Sequence, residues 1–167
     1  MHAFDELAEY GMEFSLTALN EAYAKVIESQ KTSAEIRLVK ALQMMQLQKA
    51  VLAVGMFSMY EAMLQDGLNC TDGFREAAAL LDAKGHTALR ERLNELQLAI
   101  NVLKHGRGRS YDALIGEANG LSFRVKLPDE NFFNEGDVSE VATLIDVDDA
   151  FVRRCASVIR EVSVALA

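Results

Sequence analysis

From Ala34 to about Gln65 the chain contains no proline and few charges, and this stretch decides what the remaining residues must do. Ile36, Val39, Leu47, Ala50, Val54, Phe57 and Leu64 recur at helical spacing, while Met45, Leu52, Met56, Met59 and Met63 fall on nearly the opposite side. A helix that is apolar on two faces is packed on both, so the stretch predicts the central element of a helical bundle. Lys49, Gln43, Gln46 and Gln48 interrupt it, and a membrane span needs roughly 18 or more continuous apolar residues. Its methionines read as adaptable core filling rather than as a cofactor site.

The rest of the chain is consistent with that centre. Of 167 residues one is proline, none is tryptophan and ten are glycine, which favours long helices over a turn-rich β fold. Half the residues are hydrophobic, enough for one domain over residues 1–167 with a substantial core. A first helix is predicted from Phe4 to Ser29, carrying Phe4, Leu7, Phe14, Leu19, Tyr23 and Val26. Gln30 to Ser33 is the expected break, with Thr32 or Ser33 capping the next helix. Asp66 to Asn69 ends that helix, Thr71 or Asp72 opens a third over Phe74–Ala83, Gly85 stops it, and Thr87 caps a fourth that runs to His105. Leu121 to Leu127 alternates apolar and polar residues with period two and predicts a strand, with a second near Ala142–Val147 and a loop over Pro128–Asp137. Asp146 to Asp149 opens a final helix whose apolar face is Phe151, Val152, Cys155, Val158, Ile159 and Val162. The expected fold is all-α, a bundle of about five helices with a small β excursion near residues 121–147.

Chemistry concentrates at the end of the fourth helix. Leu89, Leu93, Leu96, Ile100 and Leu103 form its core stripe, and Arg90, Asn94, Gln97, Asn101 and His105 share a sector roughly 60 to 140° from Ile100. Asn101 and His105 stand one turn apart. Gly106 is a natural C-cap, so His105 sits in the last turn, where the helix dipole favours positive charge. Arg107 and Arg109 follow on a loop, and Ser110 can cap a short helix. A lone histidine at a helix end is more often a surface or capping residue. Here an amide one turn earlier and cations at Lys104, Arg107 and Arg109 accompany it.

The segment Asn101-Val-Leu-Lys-His105-Gly106-Arg-Gly-Arg-Ser110, on a late helix of a wholly helical chain, resembles the signature region of the HEPN superfamily of prokaryotic ribonucleases and nucleotide-binding helical domains. The family pattern is an arginine, four to six residues of which the first is often asparagine, then a histidine. Asn101 and His105 match; Ile100 stands where the arginine would be, which marks a divergent member. The resemblance implies an RNA-directed protein of toxin–antitoxin or phage-defence type, with an antitoxin protein as a partner. It also implies metal-independent endoribonuclease chemistry, using the RNA 2′-hydroxyl as nucleophile. In that scheme His105 moves protons, Asn101 fixes geometry, and Lys104, Arg107 or Arg109 steadies phosphate charge in the arginine's place. The alternative is a non-catalytic dimeric helical module that binds a protein or nucleotide, a reading favoured by Ile100.

Glu61 falls in the row of Val54, Phe57 and Leu64, where a carboxylate needs a partner or a proton, so burial beside a polar or basic group is expected. It is either a boundary residue or interhelix ion pair, or the acid that orients His105. Tyr60-Glu61 after an apolar run resembles the supporting acidic position of the HEPN helix. Leu98 and Val102 form a second apolar strip on the fourth helix, which predicts a homodimer in which, by the resemblance, two signature helices meet.

The formal charge of −8 repels polyanions overall, so contact with RNA must be local. Two cysteines, Cys70 and Cys155, without histidine clustering support neither a zinc site nor a disulfide framework, and no cofactor is expected. No Gly-x-Gly-x-x-Gly or Walker loop is present. Reduced thiols, an acidic start without an apolar leader and no membrane span lead to the expectation of a cytoplasmic protein.

Overall fold

The computed structural model describes residues 2–30, 36–130 and 143–167. They form six α-helices: α1 His2–Gln30, α2 Ile36–Leu68, α3 Gly73–Ala83, α4 Thr87–His105, α5 Arg109–Gly116 and α6 Asp149–Leu166. The all-α expectation holds, and α5 is the short helix expected after the fourth. No described helix is long and apolar enough to cross a membrane.

Helix α2 is central as expected: it packs on α1, α3, α4 and α6. Its buried row is Leu42, Met45, Ala53, Met56, Tyr60 and Leu64, flanked by Ala50 and Phe57. The two-stripe reading put Leu47 and Met59 inside, whereas both are exposed. A single broad face of α2 meets all four neighbours, so its opposite side is left outside. Helix α6 is the second hub, touching α1, α2, α3 and α4. Its buried face is the expected one, Phe151 through Val162, joined by Ala156 and Ser163. α1 contributes Met12 and Leu16 to the core, while Leu7 and Phe14 point out.

Local chemistry sets most helix ends. Asp72 accepts a hydrogen bond from the Arg75 N–H at 3.1 Å, and Asp148 accepts one from the Phe151 N–H at 2.7 Å, so both cap as expected. Thr87 does not cap α4; His86 precedes it without a side-chain cap. The proposed caps Thr32 and Ser33 lie outside the described residues. The strand expected over Leu121–Leu127 is reduced to one antiparallel bridge, Val125 to Ile145. Lys126 N–H donates to Leu144 O at 2.8 Å and Asp146 N–H to Arg124 O at 3.0 Å. The alternation is real, since Val125 is buried and Phe123 meets Phe151 edge-on with centroids 5.3 Å apart. It finds only one rung of partner backbone, and a ladder needs several.

The chain's first and last helices are tied by charge. Glu9 binds Arg160 at 2.7 Å, and Glu13 binds Arg153. Asn20 donates to Asp149 at 2.6 Å, and Lys49 of α2 reaches the same carboxylate at 2.8 Å. Burial raises the Asp149 carboxyl, but the Lys49 ammonium and the Asn20 amide outweigh it and hold it below the ordinary carboxylate value. A buried polar trio lies nearer the other end. Ser163 Oγ donates to the Tyr60 hydroxyl at 3.2 Å, burial pushes that phenol up to about 12, and Asp5 lies buried beside it with an oxygen that no described group satisfies.

Because the folded Asp149 binds its proton less tightly than the unfolded residue, its stabilisation is full above the ordinary carboxylate value and disappears as pH falls through the folded value. Asp149→Asn should lower the melting temperature by roughly 2–6 °C at neutral pH. The deficit should shrink as the pH falls below the ordinary carboxylate value of ~3.9 and vanish once it is below the lower folded value. A deficit that stays constant as the pH is lowered through the acidic range would show that the charge of Asp149 contributes nothing.

Candidate functional site

The C-terminal end of α4 is built as the sequence suggests. Gly106 adopts φ 73°, a left-handed conformation that suits glycine, and its N–H closes the helix on Val102 O at 2.8 Å. His105 is therefore the last helical residue, exposed and without a hydrogen bond to the described residues. Ser110 is not the cap of the next helix. Gly108 takes that position without a side-chain bond, and Ser110 lies inside the first turn of α5. Tyr111 anchors the corner: it is buried, its hydroxyl donates to Lys126 O at 2.6 Å, and the Arg107 guanidinium lies 5.7 Å above its ring.

Below this corner α2, α3 and α4 enclose a cleft of about 320 Å³. Its floor is Phe57, Phe74 and Ile100; Glu61, Asp72, Gln97, Asn101 and Lys104 stand around it. Glu61, Asn101 and Lys104 are thus brought together, as a reading of the polar sector with Glu61 required. His105, Arg107 and Arg109 do not line the cleft; they stand exposed beside it, continuing from Lys104 around the corner.

Glu61 departs from expectation. It is half-buried and forms no hydrogen bond or ion pair with the described residues, because Tyr60, not Glu61, occupies the inward row of α2. Water in the cleft can solvate the carboxylate, which removes the need for a protein partner. Ile100 is buried at 4 % exposure and lends an apolar floor at the position of the motif arginine. The Leu98–Val102 strip is also covered within the chain: Val102 is 2 % exposed, Leu98 packs on the core, and α5 lies against α4. Only the outer part of Leu98 stays open among the described residues, too little for a second molecule to pack on.

Lys49, Arg75, Arg90, Arg92, Arg124, Arg153 and Arg160 each meet a carboxylate. Lys104, Arg107 and Arg109 meet none among the described residues, although acids outnumber bases in the chain by 25 to 17. Lys25, Lys40, Lys84 and Arg154, scattered over the chain, also have no carboxylate within ion-pair distance among the described residues. Acids on the reverse of α4 are crowded instead: burial raises Glu95, and Glu117 and Glu91 raise it further. What sets the corner apart is that three cations meeting no carboxylate fall within six residues of one another, beside His105.

One determinant of the cleft was missed from sequence. Gly73 begins α3 so close to α2 that a Cβ would lie 2.8 Å from Glu61 O and 2.8 Å from Leu64 Cβ. Gln65 Nε2 also donates to Thr71 O at 3.0 Å, holding the turn against α2. The only signal in the sequence was a glycine between the capping Asp72 and the apolar run that opens at Phe74. Comparison with protein-family models, curated proteins and solved structures finds no match to this chain.

Gly73→Ala should force α3 away from the Glu61–Leu64 backbone and cost about 1–3 kcal/mol in denaturant unfolding, with shifted amide resonances at Gln97 and Asn101. An unchanged midpoint would mean that the first turn of α3 can retreat freely.

Proposed function

We propose that this is an RNA-directed protein of HEPN-like type, a metal-independent ribonuclease whose α4–α5 corner holds the phosphate backbone. The observation that carries the reading is a set of three cations that meet no carboxylate among the described residues, Lys104, Arg107 and Arg109, beside His105 on a molecule of net negative charge. Cations without a carboxylate partner are the chemistry that phosphates neutralise. The adjoining cleft suits what projects from that backbone: an apolar floor for a base or ribose face, and the Gln97 and Asn101 amides with the Glu61 carboxylate for its polar edges. In this reading His105 takes and returns the protons of 2′-hydroxyl attack, Asn101 orients the nucleotide, and the corner cations steady the charge on phosphate.

A second reading has its own observation. Ile100 is buried in the arginine's position and Glu61 does not reach His105, which favours a module that binds RNA or a nucleotide without cutting it. An antitoxin-like protein covering the corner would be compatible with either reading.

RNA cleavage in the presence of chelator should fall 10²- to 10⁴-fold in His105→Ala, the usual contribution of general acid–base catalysis, while binding persists. Arg107→Ala and Arg109→Ala should each weaken binding and flatten its salt dependence by about one unit of slope. Binding without cleavage by the wild-type protein would establish the second reading. No RNA binding at low salt would defeat both.

A further inference from the structure

Helices α1 and α2 each carry an apolar stripe that the described residues leave uncovered. On α1, Leu7, Tyr10 and Phe14 are 68 %, 75 % and 79 % exposed; on α2, Met44, Val51 and Met59 are 53 %, 54 % and 61 % exposed, with Leu47 beside them. At about 100° per residue, each stripe lies roughly opposite its helix's buried row. Exposed Glu21, Lys25 and Lys40 bound the two stripes toward the α1–α2 connection, giving an apolar centre with a polar margin.

Both stripes contain a glycine that nothing among the described residues explains. Gly11 and Gly55 lie within long helices, where glycine is the poorest residue after proline. Among the described residues no atom comes within 4 Å of where a Cβ would sit at either position. This is the reverse of Gly73, whose missing side chain is required by α2. The two glycines also stand level. α1 and α2 are antiparallel, Phe4 stacks on Tyr60 with centroids 6.2 Å apart, and further along Asn20 and Lys49 both reach Asp149, so Gly11 comes beside Gly55. Glycine at such a point lets another helix approach closely.

We infer that a second copy of this chain docks on the outer face of α1 and α2, pairing the two hairpins into a four-helix contact centred on Gly11 and Gly55. The area is sufficient. With a fully exposed large side chain taken at on the order of 200 Å², the stripe residues present roughly 900 Å², against about 800 Å² per partner in a standard interface and 300–600 Å² for the largest patch on a typical monomer. A second copy supplies the same apolar stripe, which is what a two-fold contact requires. An anionic lipid surface is a poorer occupant, since the chain carries −8 and α1 is rich in glutamate. The α4–α5 corner takes no part in the contact, so RNA binding and dimerisation can fail separately.

Light scattering of the full chain at tens of micromolar should give twice 18.4 kDa. Phe14→Glu with Val51→Glu should return it to 18.4 kDa with the helical circular-dichroism signal intact, because both positions face outward. Gly11→Leu with Gly55→Leu should weaken the dimer roughly tenfold or more while raising the helix propensity of the monomer. A wild-type monomer at those concentrations overturns the inference. So does a dimer that survives both pairs of substitutions unchanged, since its contact would then lie elsewhere.

Discussion

The rotation of α2 about its own axis sets the geometry of this protein. With Leu42, Met45, Ala53, Met56, Tyr60 and Leu64 turned inward against four other helices, every remaining position on α2 is fixed by the helical repeat. Glu61 comes out at the edge of the buried row and faces the cleft. Val51, Gly55 and Met59 come out on the far side. A rotation of one residue would bury the carboxylate and hide the stripe. The inward row is held by a large side chain, Tyr60, whose ring lies between Phe4 and Phe74 and whose hydroxyl meets Ser163 of α6.

Much of the fold could be read from the sequence, for physical reasons that differ by element. Asp72, Asp148 and Gly106 mark helix ends because capping is a local interaction, and local interactions survive in any tertiary setting. The faces of α4 and α6 were legible because each has one dominant apolar face. α2 was harder, since apolar residues surround it and periodicity alone does not say which of them meets protein. The Leu121–Leu127 alternation was read as a strand because a strand's partner is remote in sequence. Only the structure shows that residues 143–147 offer one rung. The burial of Val102 and the partial cover of Leu98 are hidden likewise, because α5 lies back against α4 and nothing local announces that return.

For the site the division is similar. The cluster of cations around His105 is contiguous in sequence and remains together in space. The cleft draws on α2, α3 and α4, and its shape rests on Gly73, a residue without a side chain to attract notice. Asn101 and Lys104 bridge the two regions, since one turn of α4 faces the cleft and the next faces the corner.

The pairing of α1 with α6 also has a consequence in time. Glu9–Arg160, Glu13–Arg153 and Asn20–Asp149 join residues separated by more than a hundred positions, whereas α2, α3 and α4 meet through short connections. On a chain emerging from the ribosome, the α2–α4 unit can collapse early, but Met12, Leu16 and the α6-facing side of Tyr60 have no lid until α6 has been made. The nascent protein therefore passes through an interval with its hydrophobic interior open, and completion of the last helix is the event that closes it.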